Sequence, residues 1–207
     1  MRKQIRLSGS GGQGVITAAI IYAEAAVAAG MEAVQSQSYG PEARGGASKS
    51  EVIIDDSHPI YHPHVKTPDV VLAMTQKAAD KYYGDLHSDG ILILDTDLVP
   101  EPPKFGNIIQ VPITKIAIEQ AGKSLFANIV ALGVLTKVLN LVDLDTVRTA
   151  VSHRVPPHTI EANMKALIRS TRTRAFCCLN YLTSDRPNPG LLAILPISKL
   201  ISYFTSL

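Results

Sequence analysis

QIRLSGSGGQGVIT, residues 4 to 17, places an apolar strand pattern directly before GSGGQG, a six-residue run with four glycines, and then enters a helix-forming stretch. Gly9, Gly11 and Gly14 meet the G-x-G-x-x-G spacing, which gives a tight strand-to-helix turn, close backbone approach to a ligand and close packing of helix on strand. A loop without β-carbons aims several backbone N–H groups at one point, and the first turn of the next helix adds unpaired N–H groups and its dipole. Together they favour an anion, and a pyrophosphate suits the shape. The same glycines also serve a plainer purpose, packing a helix on a sheet with no ligand involved. Ile5 and Leu7 before the loop and TAAIIYAEAAVAAG after it supply the strand and the roughly four helical turns that a binding role requires.

A nicotinamide or flavin dinucleotide site carries Asp or Glu about 20 residues further on, at the end of the second strand, to hold the ribose hydroxyls. Here that region reads MEAVQSQSYG, with Glu32 at the strand's start and Ser36, Gln37 and Ser38 near its end. The ribose anchor is absent, so a phosphate ligand other than NAD is expected.

The chain has 207 residues, 46% of them apolar, which fits one large α/β domain, or one domain plus a tail, with enough apolar surface for a good core. Its net charge of +2 leaves no electrostatic footprint for nucleic acid. No uncharged apolar run reaches the roughly 18 residues of a membrane span, and MRKQIRLSG enters a strand directly, so the cytoplasm is the default location. The two cysteines, Cys177 and Cys178, are adjacent. They form neither a spaced metal site nor a disulfide framework, and an iron–sulfur cluster normally takes four thiolates.

After the first helix the pattern gives a strand MEAVQSQS, a polar loop YGPEARGGAS and a strand KSEVIIDD that pairs naturally with it. Gly40 and Pro41 break regular structure and Gly45-Gly46 let the backbone turn back. Glycine pairs on this loop and on the first point to two backbones closing on one ligand, with Arg44 as a fork-shaped donor for phosphate or carboxylate. The alternative is an ordinary solvated connection. His58, His62 and His64 cluster in HPIYHPHVKTPD, but Pro59 and Pro63 force extended geometry between them and no carboxylate or cysteine ligand is evident nearby, so a solvated segment is preferred to a zinc site. DVVLAM and ILILD read as strands buried on both faces, with a short helix TQKAADKYY between them. Asp95 and Asp97 stand at a carboxyl strand end, where open α/β sheets place ligands, yet capping a turn is their preferred role. NIIQV is a further strand. Helices follow over ITKIAIEQAG, FANIVALGVLTKVLNL and DLDTVRTAVSH, the last starting at Asp143 or Asp145. Asn128, on an apolar stretch, is either a satisfied buried amide or a contact to a partner chain.

GSGGQGVITAAIIYAEAA at 9 to 26, QSYGPEARGGASKSEVIIDD at 37 to 56, PDVVLAMTQKAADKY at 68 to 82, GILILDTDLV at 90 to 99 and FANIVALGVL at 126 to 135 carry a resemblance. Over residues 1 to 168 the chain resembles the gamma subunit of the 2-oxoacid:ferredoxin oxidoreductases, most closely the 2-oxoglutarate type. SYGPEARGG is far more specific than the glycine spacing. The resemblance implies a Rossmann-like three-layer α/β/α domain with a mostly parallel or mixed sheet. It also implies a complex that decarboxylates a 2-oxoacid on thiamine diphosphate with Mg, passes electrons through iron–sulfur clusters to ferredoxin and transfers the acyl group to coenzyme A. The chain lacks the family's thiamine-binding GDG pattern and a cysteine set for a cluster. Thiamine diphosphate and clusters are therefore expected on partner alpha, beta and delta subunits, with coenzyme A in a cleft shaped by this chain. Pyruvate, branched-chain and indolepyruvate variants of the same subunit, or a stand-alone nucleotide-binding regulatory module, are the alternatives. In this reading Gly9, Ser10, Gly11, Gly12, Gln13 and Gly14 contact the phosphates or pantetheine arm. Arg44 pairs with a phosphate or with Glu42, and Tyr39 and Pro41 wall the channel. No residue of the chain acts as proton donor or nucleophile.

Residues 169 to 207 depart from the family. Within this stretch, residues 170 to 207 hold Arg172, Arg174, Arg186 and Lys199 against Asp185 alone, and Pro187, Pro189 and Pro196 divide it. A loosely packed non-family tail is preferred to a true interaction extension.

Overall fold

The computed structural model describes residues 1–38 and 46–172. Among them, β1 (Arg2–Ser10), β2 (Glu32–Gln37), β3 (Ala47–Asp55), β4 (Val70–Ala73), β5 (Ile91–Asp95) and β6 (Ile108–Val111) form a sheet in the order β2-β3-β1-β4-β5-β6. β1, β4, β5 and β6 run parallel, while β3 is antiparallel to both β1 and β2. The apolar runs VVLA and ILILD are β4 and β5, central strands covered on both faces, as their lack of alternation requires.

Helices cover both faces. Val71, Ala73, Leu92 and Leu94 meet Ala78, Ala79 and Tyr82 of α2 (Gln76–Tyr82) on one side. On the other, α1 (Val15–Ala28) packs on β2 and β3, and α4 (Ala127–Leu139) packs on α1, α3 (Ile113–Ala121) and α6 (Ile160–Thr171). α5 (Leu144–Arg154) lies against α1. Local signals end these helices: Gly122 and Asn140 take left-handed conformations after α3 and α4, and the Asp143 carboxylate accepts the Thr146 N–H at 2.8 Å ahead of α5.

Two boundaries differ from the sequence reading. β1 continues through Gly9 and Ser10, which pair with Ser48 and Ala47, so the first two residues of GSGGQG belong to the strand and α1 begins at Val15. α6 runs on to Thr171, past residue 168, with Ser170 buried. Close α4–α6 packing explains that length: a β-carbon on Gly133 would stand 1.9 Å from the Ser170 hydroxyl oxygen and 2.8 Å from the Leu167 carbonyl oxygen. The tail expected from 169 onward lies outside the described residues from 173.

The α2 face also buries charge. Arg6 on β1 is 2% exposed, donates to Glu51 at 2.7 Å and to the Val65 carbonyl at 3.1 Å, pairs with Asp85, and lies 5.3 Å from the Tyr82 ring centroid. Lys49 completes the group, 3.0 Å from Glu51. Such a cluster persists only because every charge in it is matched.

Candidate functional site

The register of β1 on β3 decides what stands beside the glycine loop. Ser10 pairs with Ala47, so the first loop leaves the sheet next to the point where the chain from the second loop enters it. The pairing of Gln37 with Ser50 brings the other end of that second loop to the same edge. Neighbouring strands lie about 4.8 Å apart, so both glycine-bearing loops spring from adjacent strand ends. Tyr39, Pro41, Glu42 and Arg44 lie outside the described residues. Their flanks are held: the Ser38 N–H donates to the Lys49 carbonyl at 3.3 Å, and the Tyr82 hydroxyl donates to the Ala47 carbonyl at 3.0 Å.

Within the first loop, Ser10 and Gln13 clamp one another. The Ser10 N–H donates to Gln13 Oε1 at 2.7 Å, and the Gln13 N–H donates to the Ser10 carbonyl at 3.3 Å. Gln13 therefore spends its amide oxygen inside the turn, and Nε2 takes no part in that clamp. The clamp needs glycine at position 9, where a β-carbon would come within 2.5 Å of Gln13 Oε1. Gly11 and Gly12 form the exposed apex, with Gly12 at φ 89°. Gly14, at φ 73°, precedes α1 without any side-chain cap, and the first helical bond runs from the Ala18 N–H to its carbonyl. The N–H groups at the start of α1 thus lack an intrahelical acceptor, which is the donor set an anion engages.

One further residue joins this site from 114 positions away. Asn128, near the start of α4, sits against Gly14, with Nδ2 3.5 Å from the Gly14 carbonyl oxygen. A β-carbon at position 14 would come within 2.6 Å of that nitrogen. The sequence signal was a lone amide in an apolar helix; its neighbour was not legible.

Topology also accounts for the missing ribose acid. In a dinucleotide fold the second parallel strand lies beside the first, but here antiparallel β3 is inserted between β1 and β2. The carboxyl end of β2 is two strand spacings, about 10 Å, from β1.

Asp95 and Asp97 cap α3. Asp95 Oδ2 accepts from the Thr114 N–H at 3.1 Å and hydroxyl at 2.5 Å, Asp95 Oδ1 accepts the Asp97 N–H at 3.1 Å, and Asp97 Oδ2 accepts the Lys115 N–H at 2.7 Å. Burial pushes the Asp95 carboxyl above the usual carboxylate range, against the lowering effect of these bonds. His58, His62 and His64 are exposed along an irregular segment, and the described residues hold no group of three or more His, Cys, Asp or Glu placed to bind a metal ion. No helix among the described residues is long and apolar enough to cross a membrane.

Comparison with known proteins agrees with this architecture. The family model described as pyruvate ferredoxin/flavodoxin oxidoreductase matches residues 4–172. The 2-oxoglutarate synthase subunit KorC of Methanocaldococcus jannaschii is 46% identical over 170 residues, covering 80% of this chain and 90% of that protein. The crystal structure of a keto/oxoacid ferredoxin oxidoreductase gamma subunit from Geobacter sulfurreducens superposes with a TM-score of 0.77 at 44% identity, covering 86% of this chain and 98% of that one. A 2-oxoglutarate:ferredoxin oxidoreductase from Magnetococcus marinus, solved with 2-oxoglutarate, coenzyme A and succinyl-CoA bound, shares the fold at a TM-score of 0.75 and 21% identity, over 90% of this chain and 32% of that much longer one.

Proposed function

The chain belongs to the pyruvate ferredoxin/flavodoxin oxidoreductase family, and from that premise we propose that it is the gamma subunit of a 2-oxoglutarate:ferredoxin oxidoreductase whose coenzyme A cleft it shapes. The 46% identity to a 2-oxoglutarate synthase subunit over nearly that protein's full length is the observation that carries the substrate class. The complex oxidatively decarboxylates the 2-oxoacid and delivers the acyl group to coenzyme A, with electrons passing to ferredoxin.

The residues present suit coenzyme A. Its pyrophosphate needs N–H donors without a competing carboxylate, and the exposed Gly11-Gly12 apex with the uncapped start of α1 offers them. The relative of shared fold solved with coenzyme A bound supports the same ligand. Gly9, Gly11, Gly12 and Gly14 supply backbone and space, and Ser10 and Gln13 hold the turn. Arg44 pairs with a phosphate, or with Glu42 to brace the second loop; Tyr39 and Pro41 wall the entrance. All of this is positioning and exclusion of water. Thiamine diphosphate with Mg, and iron–sulfur clusters, belong to partner alpha, beta and delta subunits, since two adjacent cysteines do not hold a four-thiolate cluster.

The test is Gly11→Val in the assembled complex purified without oxygen, assayed with 2-oxoglutarate, pyruvate and branched-chain 2-oxoacids. Coenzyme A use is expected to weaken while thiamine-dependent decarboxylation of 2-oxoglutarate persists. Equal loss of both half-reactions would refute the role of the loop, and a preference for another 2-oxoacid would refute the substrate.

A further inference from the structure

The first ten residues of α4, Ala127 to Thr136, are buried at every position except 128. That open position carries an amide and faces Gly14, the residue from which α1 starts. Its oxygen is well bonded and its nitrogen is not. Oδ1 accepts the N–H of the adjacent Ile129 at 2.9 Å, and Nδ2 reaches the Gly14 carbonyl only at 3.5 Å, the outer limit for such a bond. An amide nitrogen carries two donors, so one N–H at least is uncommitted. A position that served packing alone would favour the apolar residues that fill the rest of this stretch.

Gly14 makes the approach possible. Its positive φ excludes most side chains, and a β-carbon there would drive into Asn128 Nδ2 at 2.6 Å. The glycine therefore has a second role, keeping an amide from a different helix against the loop.

We propose that Asn128 is a ligand-binding residue of the glycine-loop site, donating from Nδ2 to a phosphate oxygen of coenzyme A. On binding, the amide exchanges its long contact with the Gly14 carbonyl for a charge-assisted bond of normal length. This rests on the reading of the loop as the coenzyme A site, and it adds a side-chain donor from a distant helix to the backbone N–H groups of the loop.

The experiment measures coenzyme A affinity by calorimetry on the assembled complex carrying Asn128→Asp or Asn128→Ala, beside wild type and Gly11→Val. Asn128→Asp keeps shape and puts a carboxylate opposite the phosphate, so a loss of tenfold or more is expected. Asn128→Ala should lose about tenfold to a hundredfold, the scale of one removed hydrogen bond to a charged group. The KM for 2-oxoglutarate should stay unchanged in both, which a general loosening of the fold would not allow. Wild-type affinity in Asn128→Asp, with Gly11→Val weakened, would overturn the role of Asn128 and leave the loop reading intact. If Gly11→Val also binds coenzyme A normally, both fall. Failure of both Asn128 variants to assemble would make the residue a structural lock and overturn the proposal too.

Discussion

Replacing Gly133 with alanine should destabilise the chain, the reverse of what helix propensity alone predicts. In the middle of a helix, glycine costs about 1 kcal/mol relative to alanine, so the change would ordinarily stabilise by that amount. Here the new methyl group would meet the Ser170 hydroxyl oxygen at 1.9 Å and the Leu167 carbonyl oxygen at 2.8 Å. Ser170 can rotate away, at the expense of the 2.6 Å bond its hydroxyl makes to the Leu167 carbonyl. The carbonyl is backbone and moves only with α6. Overpacking of this kind costs about 3 kcal/mol at the upper end of its usual range, which leaves a net loss of about 2 kcal/mol after the propensity gain. For a domain of this size that lowers the melting temperature by about 4 to 8 °C. Thermal unfolding of the full-length chain, followed by circular dichroism, reads it directly. Adding Ser170→Ala should recover only part of the loss, because the carbonyl contact remains. A melting temperature raised by the single substitution would refute the close α4–α6 packing, and with it the place of α6 in the domain.

Two further outcomes test the rest of the fold. Arg6→Met should cost about 2 to 3 kcal/mol in urea unfolding, below the usual cost of breaking a buried pair because Lys49 still faces Glu51; recovery on adding Glu51→Leu would separate stranded charge from lost packing. Burial raises the Asp95 pKa in the folded chain, so the stability it contributes is fully present below the unfolded value of about 3.9 and declines as pH rises through the folded value. Wild type minus Asp95→Asn stability, measured by urea unfolding from pH 3 to 7, should therefore fall with increasing pH; a rise would mean the hydrogen bonds from Thr114 and Asp97 outweigh burial.

Much of this protein is written locally. Apolar runs without alternation made β4 and β5 central strands because both faces must be covered, and Gly122 and Asp143 marked helix ends because each satisfies orphaned backbone groups within a few residues. The glycine spacing located the candidate loop for the same reason: turn geometry depends on neighbours in the chain. What escaped the sequence is what depends on distant pairing. The insertion of β3 between β1 and β2, which moves the second strand away from the glycine loop, is a choice of hydrogen-bonding partner that no local pattern encodes. The continuation of β1 through Ser10 follows from that choice, since only β3 holds those residues extended. Arg6 reads as an ordinary surface residue in MRKQIRLSG until Glu51 and Asp85 converge on it. Asn128 is a lone amide until α4 and α1 bring it against Gly14. The sequence by itself determined the elements and the loop, through short-range sterics and hydrogen bonding; only the tertiary structure decided which strand ends and which helix stand beside that loop, because those contacts join residues that chain proximity never brings together.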